Sequence, residues 1–86
     1  MPEISRFLGI VIFIYYRDHG VPHFHARYGE DVAAFSIEDL KLIAGQMPKR
    51  PLALIIEWAF EHRLELMENW HLAEAGKPLK KITPLD

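Results

Sequence analysis

Residues 8–16 (LGIVIFIYY) form an apolar run rich in β-branched and aromatic side chains, with no polar alternation. That pattern predicts one interior strand covered on both faces. The following segment, Arg17-Asp18-His19-Gly20-Val21-Pro22, brings glycine and proline close together and predicts a loop. Beyond it, His23-Phe24-His25-Ala26-Arg27-Tyr28 alternates strictly. As a strand it places Phe24, Ala26 and Tyr28 on one face and His23, His25 and Arg27 on the other. Gly29-Glu30, with glycine first, predicts a type II′ hairpin turn, and residues 31–38 predict the returning strand with Ala33, Phe35 and Ile37 on one side. A fourth short strand is expected near residues 41–44, before Gly45, with a helical turn over residues 40–43 as the alternative.

The second half has a helical period. Pro48 and Pro51 flank Lys49 and Arg50 and suit a helix start. Over residues 52–75, Leu52, Ile55, Ile56, Ala59, Leu66, Met67, Trp70 and Ala73 fall on one stripe, with Glu57, Glu61, Glu65 and Glu68 opposite. Gly76 then predicts the residue just past the helix end, and Pro78 a stop. Two features depart from this pattern. Arg63 lies within the apolar stripe, so it must snorkel, pair with a carboxylate or mark a bend. Leu54, Trp58 and Leu72 lie off the stripe, so Trp58 is expected to be exposed as a contact surface. The expected architecture is a single α+β domain over residues 1–86. It has a small antiparallel sheet of three to four strands over about residues 6–46, one long C-terminal helix over about residues 49–75, and a tail over residues 76–86.

Composition bounds the function classes. A chain of 86 residues, 50% hydrophobic and 26% charged, folds around one core and has no room for a separate cofactor domain. A net charge of -2 excludes general coating of nucleic acid, which needs a strongly basic face. With no cysteine, disulfides, thiolate zinc sites and thiol nucleophiles are excluded together. Residues 1–6 lack the pattern of a secretory signal, and the apolar run over residues 7–16 falls short of the roughly 20 residues a bilayer span needs. A cytoplasmic protein without a membrane partner is expected.

Three of the five histidines fall with Asp18 inside residues 18–25. Three chemical readings of this cluster stay open. His23 and His25, about 6–7 Å apart along one strand face, could hold one divalent ion with Asp18 or His19 as a third ligand. Zinc, nickel, manganese or iron would suit such donors, in an open site. Without a metal, the two histidines could act as acid and base on a phosphodiester, with Asp18 orienting them, Arg27 holding the phosphate, and Tyr15, Tyr16 and Tyr28 available to stack on a base. The third reading is an ordinary half-exposed strand, with histidines that fix a loop and Asp18 capping a turn. Lys49 and Arg50 oppose the helix dipole, so a bound phosphate or carboxylate is an alternative to their being solvated charges. His62 and His71, on the helix flanks, are expected at the surface, and no site is assigned to Lys77, Lys80 or Lys81.

The order Pro2-x-Ile4-Ser5-Arg6-Phe7, the apolar strand, Asp18-His19-x-x-Pro22-His23-Phe24-His25-x-x-Tyr28-Gly29-Glu30, then Pro48-Lys49-Arg50 and Glu57-Trp58-Ala59, resembles the prokaryotic domain-of-unknown-function family 4160 over nearly the whole chain. The PHFH segment followed by Tyr-Gly-Glu is its specific signature. Many members carry a second proline before that segment, where this chain has Val21. The resemblance brings no established activity or catalytic residue. It implies a partner, because members are often encoded beside a second small family in a toxin–antitoxin-like arrangement. The leading expectation is therefore a cytoplasmic interaction domain, without a cofactor, working with a small cognate protein encoded nearby. Trp58 is the expected contact, and a homodimer through the Trp58 side of the helix is the other arrangement it would serve. The alternative is a small hydrolase of RNA or another phosphodiester. His23, His25 and Asp18 would be catalytic there, Arg27, Tyr28, Lys49 and Arg50 would bind, and His23, His25, Asp18 and His19 would ligate a metal if one is used. Whether the chain is an enzyme stays open at this point.

Overall fold

Leu8 (φ 50°) and Gly9 (φ 82°) both take up the left-handed region. Two such residues in succession make a type I′ turn, the connection best matched to the twist of a hairpin. The N-terminal apolar run is therefore divided in the computed structural model, which describes residues 2–86. Strands β1 (Glu3–Phe7) and β2 (Ile10–Phe13) pair antiparallel across that turn. The expected single strand over residues 8–16 is thus corrected. Leucine is not a turn residue, and holding it at positive φ costs about 1–2 kcal/mol, so Gly9 alone marks the reversal, inside an otherwise unbroken apolar run.

The next hairpin follows the alternation. Strands β3 (His23–Tyr28) and β4 (Asp31–Ser36) pair from Tyr28↔Asp31 to His23↔Ser36. Gly29 (φ 60°) sits in the left-handed region and Glu30 does not, as the expected type II′ turn requires. A fifth strand, β5 (Leu42–Gly45), pairs with β4, so this segment is a strand and not a helical turn. The sheet is a five-stranded antiparallel meander in the order β1-β2-β3-β4-β5, one strand more than the upper expectation.

The helical layer is also divided. Helices α1 (Lys49–Glu61) and α2 (Arg63–Glu74) meet at His62, whose backbone (φ -123°, ψ 26°) is not helical. One long helix is thereby corrected to two. Of the three roles open to Arg63, the structure takes the bend, and the Arg63 guanidinium then donates to the carbonyl of Glu38. The His62 ring meets Glu65 Oε1 through Nδ1 at 2.5 Å, a side-chain pair at capping-box spacing across the new helix start. At the far end, the Gly76 N–H donates to Ala73 O and the Lys77 N–H to Leu72 O, closing a Schellman motif around Gly76 (φ 70°), where the end was expected.

One sheet face and both helices enclose the core. Ile4, Ile10, Ile12, Ile14, Phe24, Ala26, Ala33, Phe35 and Ile37 pack against Ile55, Trp58, Ala59, Leu66, Trp70 and Ala73. Trp58 is fully buried (0% exposed), and its Nε1 donates to Thr83 O at 2.8 Å. This overturns its expected exposure: Trp58 is a core residue and not itself a contact surface. The stripe over residues 52–75 presumed one continuous helix. Once the chain breaks at His62 each helix sets its own inner face, Pro51, Ile55, Trp58 and Ala59 in α1 and Leu66, Asn69, Trp70 and Ala73 in α2.

The tail over residues 76–86 closes the other side of the core. Lys80 N–H donates to Asn69 Oδ1 (2.8 Å) and Asn69 Nδ2 to Lys80 O (2.9 Å), which satisfies a buried amide. Ile82 N–H donates to Ile4 O, and Ser5 Oγ to Ile82 O, so the tail covers the outer side of β1. No helix among the described residues is long and apolar enough to cross a membrane.

Candidate functional site

The site begins where the loop after β2 is tied to the end of α2. Arg17 N–H donates to Ala73 O, and the Arg17 guanidinium lies so close to Gly76 that an added Cβ there would sit 2.5 Å from Nη2. A cation over a helix C-terminus is electrostatically favourable. This tether turns Asp18 back toward the start of β3. Asp18 Oδ1 accepts the His19 N–H at 2.8 Å, and Oδ2 lies 2.9 Å from His23 Nε2.

His23 is held through both ring nitrogens. Its Nδ1 is 2.7 Å from Val21 O, and a carbonyl only accepts, so Nδ1 carries the proton and donates. Nε2 lies 2.9 Å from the Asp18 carboxylate, and since a carboxylate only accepts, Nε2 donates in that hydrogen bond. His23 is 9% exposed, and its ring packs against Trp70 and His25, with centroids 5.1 Å away in each case.

His25 is fixed differently. Register places it beside Phe13 of β2 and Ala34 of β4, on the sheet face away from the helices. Its ring stacks on Phe13 (5.2 Å, 12° between planes), and Tyr15 meets it edge-on at 4.8 Å. Its Nδ1 is buried with no hydrogen-bond partner among the described residues. Burial, reinforced by His23, pushes the His25 imidazole below its ordinary pKa, against a smaller opposing pull from Asp18. For Asp18 the desolvation that would raise its carboxyl is outweighed by the His19 N–H, the His23 hydrogen bond and the two nearby histidines, so it too lies below its ordinary value. Both shifts run downward, so each group holds its proton less tightly than it would free in water. One donor atom from each of Asp18, His23 and His25 lies within 4.8 Å of the others.

The remaining candidates separate from this cluster. Arg27 shares the face of His25, two residues further along β3 and paired with Val11 and Val32. His19 is exposed and stands outside the group of three. Tyr28 is five residues beyond His23, roughly 16 Å along the strand, and on the opposite face. There it lines a cleft of about 370 Å³ with Arg50, Leu8, Ile10, Pro51 and Leu54. Arg50 therefore belongs with Tyr28 and not with the histidines. Lys49 is exposed at the start of α1, and Trp58 is in the core.

Three residues gain importance that spacing alone did not assign. Phe13 supports His25, though a strand read as buried on both faces hid which face it served. Phe60 and Leu64 are large apolar side chains left 68% and 88% exposed on the helical layer. Their signal was available, since they are four residues apart and interleave with Glu57, Glu61, Glu65 and Glu68 on the acidic side.

An antiparallel meander with a broken helical layer on one face and an Asp-His-His cluster at the end of its central strand defines a small two-layer α+β domain. The family model described as Domain of unknown function (DUF4160) matches residues 9–71, and the chain belongs to that family. The match includes Asp18, His23, His25, Phe60 and Leu64. No curated protein and no solved structure matches the chain.

Proposed function

We propose that the protein is a small cytoplasmic interaction domain whose helical face docks a cognate small protein, as one component of a toxin–antitoxin-like two-protein module. The observation that carries this reading is the exposure of Phe60 (68%) and Leu64 (88%) on a domain that has enough core to bury Trp58 entirely. Two grooves adjoin Leu64. One, of about 390 Å³, is lined by Ile37, Glu38, Arg63, Leu64 and Met67. The other, of about 510 Å³, runs along α2 past Leu64, Met67, Glu68, His71, Leu72, Ala75 and Lys77. Because they share Leu64 and Met67, they form one apolar floor with a rim of mixed charge. That anatomy, apolar within and charged at the edge, is how protein-binding surfaces are built. It takes over the role that sequence patterning gave to Trp58.

Light scattering on a size-exclusion column tests it, with the untagged chain run alone and with the small protein encoded beside it. Co-elution as one species at micromolar concentration is expected. Separate elution, with the chain alone monomeric, would contradict the proposal.

Hydrolysis of RNA or another phosphodiester is the second reading, favoured by one observation: the Asp18 carboxylate orients His23 at 2.9 Å beside His25, with Arg27 on the face of His25. It predicts that purified protein accelerates RNA decay and that His25→Ala loses at least about 100-fold of that rate, the usual worth of a positioned acid or base. Equal decay with wild type, His25→Ala and buffer would remove it.

A further inference from the structure

We propose that Asp18, His23 and His25 bind one divalent first-row transition ion of the zinc or nickel type. This inference rests on neither the docking reading nor the hydrolytic one.

The donor set comes first. Two imidazoles and one carboxylate select transition ions over magnesium or calcium, which favour all-oxygen shells. The three donor atoms already lie within 4.8 Å of one another, and Asp18 Oδ2 and His23 Nε2 are 2.9 Å apart. Donors around a tetrahedral zinc sit about 3.4 Å apart, given metal–ligand bonds of about 2.0–2.1 Å. A bound ion would replace the proton held between His23 Nε2 and Asp18 Oδ2 and draw the three donors from within 4.8 Å to about that spacing.

The support around the donors points the same way. A ligating histidine typically donates its other ring N–H to a carbonyl or carboxylate, which fixes the ring and leaves the remaining nitrogen to the metal. His23 does so through Nδ1 to Val21 O at 2.7 Å, directing Nε2 at the cluster. His25 is locked between Phe13 and Tyr15, yet its buried Nδ1 has no partner among the described residues. An unpaired buried nitrogen on a held ring is unfavourable if nothing ever satisfies it, and an ion coordinated at Nδ1 would satisfy it. Three protein ligands would leave at least one coordination position open.

The test is equilibrium dialysis of the untagged full chain, stripped with EDTA, against zinc chloride, nickel chloride and magnesium chloride, read by elemental analysis. One equivalent of zinc or nickel and no magnesium is expected. Asp18→Asn and His25→Ala should each weaken binding at least about tenfold, while Glu57→Gln, at an exposed carboxylate on α1, should leave it unchanged. Cobalt(II) absorption supplies an independent readout: a visible band with wild type, lost in Asp18→Asn, with circular dichroism showing that the variant is folded. Binding below one tenth of an equivalent, binding undiminished in both cluster variants, or binding lost in Glu57→Gln would each overturn the assignment.

Discussion

Trp58→Ala is expected to lose about 3–5 kcal/mol of folding stability, the usual range for truncating a buried tryptophan. The indole is fully buried. It lies against Phe7 (5.3 Å), Phe24 (6.2 Å) and His62 (5.4 Å), and its Nε1 donates to Thr83 O. Alanine would leave a cavity bounded by two strands, the helix junction and the tail, elements too constrained to collapse into it together. A chain of this size has only about 4–13 kcal/mol in total, so the substitution removes a large share. A thermal melt should fall by more than about 12 °C. Trp58→Phe, which keeps most of the ring volume, should fall by less. A drop under about 4 °C for alanine would mean that Trp58 faces solvent after all, and would restore it as a docking residue.

Gly45→Ala carries the second large expected effect, about 2–5 kcal/mol, from two sources that add. Gly45 sits at φ 78°, where an L side chain is strained by about 1–2 kcal/mol. A Cβ there would also lie 2.1 Å from Val32 O and 2.9 Å from Ala33 Cα. Those atoms belong to β4 and cannot swing aside as a side chain could, so overpacking adds about 1–3 kcal/mol. The expected outcome is release of β5, seen as faster amide hydrogen exchange at Leu42 to Gly45 and a lower melting temperature. Unchanged exchange there would show that β5 tolerates the left-handed position without glycine and that the β4–β5 register is looser than described. The neighbouring Ala44→Ser, at an exposed position, serves as the near-neutral comparison.

These two positions show what was legible in the chain. Strict alternation over His23 to Tyr28 made β3 readable, and glycine first at Gly29 made its turn readable, because both signals are local. Ala33, Phe35 and Ile37 were readable as one buried side for the same reason. The β1–β2 reversal was not, since a leucine occupies a position that usually takes asparagine or glycine, and the strain at Leu8 is compensated by pairing elsewhere. The break at His62 left two faint traces, Arg63 in an apolar stripe and the His62-x-x-Glu65 spacing. Without a glycine or proline there, periodicity ran straight through it. Every error about Trp58 descends from that continuity.

The site divides in the same way. Asp18, His23 and His25 were named from density of side-chain type, and the structure brings them within reach of one another. Arg50 and Tyr28 were grouped with them by charge and aromaticity alone, and strand parity sends Tyr28 to the other face. Sequence spacing could not show that the Asp18 loop is tied down by Arg17 at the end of α2, a contact between segments more than 50 residues apart. It is this long-range tether that turns a histidine-rich stretch into a defined cluster.

Isothermal titration of the small neighbouring protein into the chain and into Leu64→Ser tests the interaction proposal most directly. Leu64 is 88% exposed and shares both grooves, so its replacement should leave folding intact while removing the centre of the docking surface. A one-to-one complex with wild type is expected, and at least about tenfold weaker binding for Leu64→Ser, corresponding to about 1.4 kcal/mol. Equal affinity for the two proteins, or no heat with either, would contradict it.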